Sequence, residues 1–173
     1  MRIFIAAKIN KTDKFRIINF ENNYSDINWI NANNIHLTLI PPFEVSNLEE
    51  FYNNMDCIKS DLISTNLIFK YVQIIPDVKT PKLIWLRGIN NKQINNMIKI
   101  LYEKLSIERK KIFIPHITLA RIKKLELKYF SIKKEEIIIK LIINRIFIVK
   151  SKIDSKIVNY IFLKSFKLNK SNE

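Results

Sequence analysis

The sequence predicts an α+β domain of two similar lobes that share a central cleft, and three observations carry that expectation. The first is a duplicated stretch. Residues 35–39 read Ile35-His36-Leu37-Thr38-Leu39 and residues 115–119 read Pro115-His116-Ile117-Thr118-Leu119. Both contain H-x-T-L, and they use both histidines of the chain. Coincidence at both positions is an event on the order of 1 in 10⁵. The second observation is local pattern. Each copy alternates with period two in apolar, β-branched surroundings, so each is a strand with one core face and one face carrying an imidazole beside a hydroxyl. The third is the order of elements, roughly β-α-β-α-β-β-α-β-β-β, in which helix and strand segments recur around each motif.

Taken in order, residues 2–9 predict a strand centred on Ile3, Phe4 and Ile5. Thr12 is placed to cap a short helix that turns Phe15, Ile17 and Ile18 inward. Residues 22–34 are rich in Asn, Ser and Asp and read as a loop with Trp29 and Ile30 tucked in. The first motif strand follows, and Pro41 and Pro42 stop it. Ser46 and Glu49 have capping-box spacing. Behind them Leu48, Phe51, Tyr52, Met55, Ile58 and Leu62 form a helical core stripe, with Cys57 as a small packed residue. Residues 66–75 and 82–89 read as strands joined by a turn at Pro76, Asp77 and Pro81, with Trp85 assigned to the core. Asn90 or Asn91 caps a helix whose stripe is Ile94, Met97, Ile98, Leu101 and Leu105.

Residues 108–111 read as a charged loop before the second motif strand, and 123–136 as a charged loop with a helical turn. Residues 137–150 and 156–168 are β-rich and expected to pair. One domain over 1–168 is expected, with 169–173 as a fraying tail.

Composition narrows the function. The chain has a net charge of +14, which points to a polyanionic partner, nucleic acid first, unless the lysines are simply spread over all faces. Gly88 is the only glycine, so glycine-rich phosphate loops are excluded. One Cys and two His make neither a disulfide nor a Cys–His zinc cluster. The short apolar run at residues 3–7 is not a signal peptide, and no stretch is long enough to span a membrane, so a cytoplasmic protein is expected.

Two imidazoles facing each other suit paired acid–base chemistry. An unperturbed imidazole titrates near neutrality, so one can be neutral and the other protonated. In-line displacement at phosphorus needs that pair on opposite sides of the phosphate, with hydroxyls such as those of Thr38 and Thr118 on the non-bridging oxygens. This chemistry requires no metal and no cofactor. An activated phosphodiester fits best, and an RNA 2′,3′-cyclic phosphate is strained, anionic and attached to a polymer that a basic protein would hold.

On these residues the chain resembles the two-histidine (H-x-T) phosphoesterase superfamily, and within it the RNA 2′,3′-cyclic phosphodiesterases also known as 2′-5′ RNA ligases. Arg2-Ile3-Phe4-Ile5-Ala6 resembles the opening strand, and Asn34 to Leu39 the first motif. Lys82-Leu83-Ile84-Trp85-Leu86 resembles the central Trp-bearing strand. Phe113 to Arg121 resembles the second motif, and 160–168 the closing strand. The run Ile40-Pro41-Pro42-Phe43-Glu44 departs from the family's usual Gly-containing segment and resembles other branches of the superfamily.

The resemblance implies a bilobal fold and hydrolysis of a terminal 2′,3′-cyclic phosphate to a 2′-phosphate. It implies His36 as general acid, His116 as general base, and Thr38 and Thr118 as phosphate ligands. Arg121 matches the Arg after the family's second motif, but strict alternation puts it on the face opposite His116 unless a bulge re-aims it. Phe43 is a candidate for stacking on a base, against a plain core role. Arg109, Lys110 and Lys111 could steer RNA or form a solvated loop. The expected partner is RNA with a 2′,3′-cyclic phosphate end, held by a monomer. The rival readings are a phosphodiesterase acting on small cyclic phosphates or 2′-5′ oligonucleotides, a 2′-5′ RNA ligase, and a non-catalytic RNA-binding module.

Overall fold

The computed structural model describes residues 1–22, 27–77, 79–122, 136–154 and 157–170. In chain order these form β1 (Arg2–Lys8), α1 (Lys11–Asn22), β2 (His36–Glu44), α2 (Leu48–Ile58), β3 (Thr65–Ile75), β4 (Leu83–Gly88), α3 (Lys92–Lys104), β5 (His116–Arg121), β6 (Glu136–Ile143), β7 (Arg145–Asp154) and β8 (Ile157–Lys167). The strands make one eight-stranded sheet in the order β6-β3-β4-β5-β2-β1-β7-β8. All of its neighbours run antiparallel.

The order divides at the β5–β2 seam into two related halves. In one, β1–α1–β2 supplies the first motif; in the other, β4–α3–β5 supplies the second. The α+β fold of two similar lobes is therefore observed.

The sheet is strongly curled, and one turn shows why. Asn144 alone separates β6 from β7, yet these strands lie six places apart in the sheet. At the usual strand spacing a flat sheet would put them roughly 29 Å apart, far beyond the reach of one residue. The rims must therefore approach each other. A parallel bridge between Ile63 and Asn169 closes the same corner, with Asn169 N–H donating to the Leu62 carbonyl. The ordered chain thus runs on through Asn169, while 171–173 lie outside the described residues. The expectation of one continuous β segment over 137–150 gives way to two strands in different lobes.

Helices cover one face. Phe51, Met55 and Ile58 of α2 and Ile94, Met97, Ile98 and Leu101 of α3 pack with Leu37, Leu39, Ile117 and Leu119 in the main core. The opposite face of β1, β7 and β8 carries a smaller cluster, Phe4, Ala6 and Val149, edged by Phe147, Tyr160 and Phe162.

Several local expectations shift. Asn10 accepts from the Asp13 N–H at the start of α1, in place of Thr12. Phe15 points to solvent, and Phe20 is buried instead, one turn or so further along. Asn47, not Ser46, caps α2 by accepting from the N–H groups of Glu49 and Glu50. Cys57 is exposed rather than packed. Pro41 and Pro42 do not stop β2, which continues to Glu44, pairing Phe43 with Ile3 and Glu44 with Arg2. The register shift between Ile5 and Ile3 accommodates the two prolines, whose missing N–H groups fall outside the ladder. The segment expected as a charged loop at 123–136 lies outside the described residues up to 135.

Gly88 ends β4 where space is smallest. A Cβ there would lie 3.0 Å from both the Phe69 ring and Pro115 Cβ, and the Gly88 N–H donates to the Pro115 carbonyl at 2.8 Å. Gly88→Ala is therefore expected to lower the thermal midpoint by about 2–10 °C, as overpacking of roughly 1–3 kcal/mol does in a domain of this size. Calorimetry would read this, and an unchanged midpoint would mean that Phe69 and Pro115 yield freely.

Candidate active site

The two motif strands meet at one register pair, Leu37 with Ile117. Because β2 and β5 run antiparallel, that pair places His36 opposite Thr118 and Thr38 opposite His116. All four alternate away from the buried Leu37 and Ile117, so they share the face opposite the main core. His36 and His116 are then diagonal neighbours, a relation that sets Cα atoms about 7–8 Å apart in ordinary sheet geometry. The expected gathering of both motifs on one surface is what the sheet register produces.

Each motif is followed by the same irregularity. On β5, Trp85 pairs with Thr118 and Ile84 with Ala120, leaving Leu119 unmatched. On β2, Ala6 pairs with Thr38 and Ile5 with Ile40, leaving Leu39 unmatched. The burial of His36 to Pro41 and of His116 to Arg121 follows one pattern: half-buried, buried, half-buried, buried, buried, exposed. An extra residue flips the alternation beyond it. Arg121 is thereby turned to the same face as Thr118, and simple alternation fails for a definite reason.

Both histidines are held by one local device. His36 Nδ1 lies 2.7 Å from the Asn34 carbonyl, and His116 Nδ1 lies 2.7 Å from the Ile114 carbonyl. A carbonyl only accepts, so Nδ1 carries the proton in both rings and Nε2 is left as the basic atom. Burial pulls both imidazoles below their ordinary pKa. The carbonyl contact opposes that shift in each, and for His36 the nearby His116 adds to the lowering. The pair therefore resists carrying two protons at once.

The surrounding rings differ. Trp85 stacks on His116 with centroids 3.8 Å apart and planes at 20°. Its indole Nε1 is buried with no hydrogen-bond partner among the described residues, so stacking rather than a polar contact accompanies its placement. Trp85 is thus a site-face residue and not the core residue expected. His36 instead sits between Phe4, at 5.2 Å, and the edge-on ring of Tyr160, at 4.7 Å.

A cavity of about 340 Å³ lies here. His36, Thr38, Thr118 and Arg121 line it, and Arg2 and Tyr160 join them from β1 and β8. His116 flanks this lining rather than belonging to it. Two guanidinium groups in one cleft favour a bidentate anion such as phosphate. Phe43 lies elsewhere: its ring packs on Phe51 of α2 at 5.6 Å, so the structure gives it the core role. The charged segment before β5 folds on itself. Arg109 donates to the Lys111 carbonyl and covers the Tyr102 ring, and Lys110 pairs with Glu108 at 3.5 Å. Among the described residues no three His, Cys, Asp or Glu side chains are grouped to hold a metal ion.

No family model matches the chain. It is 25% identical over 130 residues to the RNA 2′,3′-cyclic phosphodiesterase of Methanocaldococcus jannaschii, 71% of this chain and 72% of that one. It is 28% identical over 109 residues to the RNA 2′,3′-cyclic phosphodiesterase of Aquifex aeolicus, 58% of this chain and 57% of that one. A Thermus thermophilus crystal structure shares its fold, with a TM-score of 0.81 at 17% identity over 99% of this chain and 100% of the other. E. coli LigT in complex with ATP superposes with a TM-score of 0.70 at 16% identity, over 97% and 98% of the two chains. The chain is a distant homologue of the two-histidine phosphoesterases.

The places of Arg2 and Tyr160 in the cavity lining and the stacking of Trp85 on His116 have no local signal in the sequence. Arg2 and Tyr160 lie more than a hundred residues apart and meet only through the β2-β1-β7-β8 order. Trp85 reads as core because its strand is apolar on both faces.

The lowered imidazoles make stability depend on pH. The unfolded chain takes up protons on both histidines from about pH 6.5 downward, while the folded chain does so only at lower pH. Their neutral burial is tolerated above that range and becomes destabilising as pH falls through it. Thermal midpoints of wild type and His36→Asn/His116→Asn are therefore expected to differ increasingly in favour of the variant between pH 7 and pH 5. Parallel midpoint curves would contradict the lowered pKa of both rings.

Proposed function

We propose that the chain hydrolyses the 2′,3′-cyclic phosphate at an RNA end to a 2′-phosphate. The observation that carries this reading is the pair of Nδ1-anchored imidazoles set diagonally across Thr38 and Thr118 on one sheet face. The distant RNA 2′,3′-cyclic phosphodiesterase relatives support the substrate class.

In the proposed step His116 Nε2 takes a proton from water as its oxygen bonds to phosphorus. The P–O3′ bond breaks on the opposite side, and protonated His36 gives its Nε2 proton to O3′. Both protons are supplied and received by imidazole. Thr38 and Thr118 hydroxyls donate to the non-bridging oxygens, and the Arg121 and Arg2 guanidinium groups hold the anion. The site carries one proton in its working state, which agrees with the mutual opposition of the two rings to a second. An anionic phosphate between them favours that one proton.

Incubation of a short RNA ending in a 2′,3′-cyclic phosphate, with EDTA present, tests this by phosphorus NMR. The expected product is a 2′-phosphate. His36→Ala and His116→Ala are each expected to lower kcat by about 10²–10⁴-fold. The double variant should be little worse than either, because the two rings act as a unit. Absence of conversion by the wild type, or survival of activity in either variant, would overturn the reading. A 3′-phosphate product would exchange which oxygen leaves.

The pH profile is a separate check. In the free protein both imidazoles titrate below their ordinary value, so kcat/KM is expected to peak below pH 6.5. Bound phosphate raises the acid's pKa, so kcat should persist to higher pH than kcat/KM. A kcat/KM optimum above pH 7.5 would contradict the assignment of proton transfers to this pair.

A further inference from the structure

A second basic cavity adjoins the cleft. It has a volume of about 420 Å³ and is lined by Lys8, Lys14, Asn33, Asn34, Asn159 and Tyr160 among others. Asn34 and Tyr160 also line the cleft, so the two spaces are neighbours along the His36 side. Lys8 stands directly opposite His36 in the β1–β2 register, which sets the cavity one side chain away from the proposed acid.

Lys8 is exposed, yet its ammonium rests on two aromatic rings. Its Nζ lies 3.9 Å from the Phe162 ring centroid and 4.6 Å from that of Phe147. Lys14 comes from the first turn of α1. No carboxylate pairs with either ammonium among the described residues. Burial, and then the charge of Lys8, lower the pKa of Lys14. Two like charges kept close without a counter-charge are relieved by an anion. The related position in the other lobe behaves differently: Arg87, opposite His116, is engaged by Gln73 at 3.3 Å. Arg87 stands there as a single charge, so the close lysine pair marks the His36 side among the described residues.

We propose that Lys8 and Lys14, with the side-chain amides beside them, bind the last internal phosphodiester of a single-stranded RNA whose cyclic end sits between His36 and His116. This rests on the proposed function and deepens it: the substrate is an oligonucleotide, and a lone cyclic mononucleotide leaves the second subsite unused. The lysines act as point charges on a phosphate, and the asparagine amides add donors.

The test compares a 2′,3′-cyclic mononucleotide, a trinucleotide with the same cyclic end, and that trinucleotide with a neutral methylphosphonate as its last internal linkage. Lys8→Met/Lys14→Met keeps the aliphatic stems and removes the charges. Lys92→Met/Lys99→Met, on the exposed side of α3, is the control for net charge.

On the trinucleotide, the Lys8/Lys14 variant should lose kcat/KM by a factor exceeding its loss on the mononucleotide by on the order of ten-fold. On the methylphosphonate that excess should vanish, and the control variant should show none on any substrate. The salt slope of trinucleotide binding, read by fluorescence anisotropy, should fall by about 0.7, as the loss of one neutralised single-strand phosphate requires. Equal losses on all three substrates, or an unchanged salt slope, would overturn the subsite. The binding measurement also separates this proposal from the reading beneath it. If the wild type converts no substrate, the catalytic proposal fails, while lysine-dependent binding of the phosphodiester trinucleotide over the methylphosphonate still upholds the subsite and its absence rejects it.

Discussion

The Leu37–Ile117 register pair is the constraint on which the site depends. Side chains alternate strictly along a strand, so a slip of one residue by either strand at this seam would turn that strand's imidazole and hydroxyl into the main core and away from the other motif. The register is fixed from the other face. Leu37, Leu39, Ile117 and Leu119 are fully buried against the helices, and exposing them would sacrifice roughly 1.5–3 kcal/mol each. The chemistry on one face is thus positioned by packing on the other. Since only this pair is laddered, the strands are free to diverge on either side, and a cleft opens where a continuous ladder would have left a flat surface.

Two effects act on the imidazoles. Burial lowers their affinity for protons, and the backbone carbonyls restrict which nitrogen carries one. The first effect alone would leave a neutral pair with no acid. The second keeps the pair useful, because the Asn34 and Ile114 carbonyls hold Nδ1–H and so stabilise the protonated ring as well as the neutral tautomer. Desolvation outweighs the carbonyl contact at both rings. Under the proposed function the lowered imidazoles disfavour protons in the free protein, and an anionic substrate would favour the one proton that the reaction uses.

The motifs, their strands and the helical stripes were legible because they are local: period two, period 3.6 and a duplicated tetrapeptide all lie within short windows. The helix cap moved by one residue at Asn47 because two adjacent polar residues could both serve. The side of the sheet on which Arg121 falls was not legible, since the unmatched Leu119 is defined only by its partner strand β4. Trp85 misled for a related reason: β4 is central in the sheet, with apolar residues on both faces, and nothing in its own sequence distinguishes the core face from the site face. Tyr160 and Arg2 required the strand order. The split at Asn144 was hidden inside one β-rich run, because the curl that lets a single residue join opposite lobes is a property of the whole sheet.

The two halves of the sheet share a frame but not its furnishings, and that difference gives the site direction. At equivalent positions beyond the two bulges stand Pro41 and Arg121, so a guanidinium approaches the cleft from the second motif and none from the first. Opposite His36 stands Lys8, part of an unneutralised pair; opposite His116 stands Arg87, already bonded to Gln73. Edge-on and tilted rings flank His36, whereas one indole lies flat on His116. A symmetric pair of histidines would bind a phosphodiester in either orientation. In the proposed complex the paired charges of Lys8 and Lys14 favour one, with the remainder of the polyanion lying over the side where, among the described residues, those two ammonium groups stand together. That is the side of His36, the ring assigned to the leaving oxygen. In the proposed reaction the frame supplies two interchangeable proton carriers, and the residues one strand away bias which of them faces the chain and which faces water.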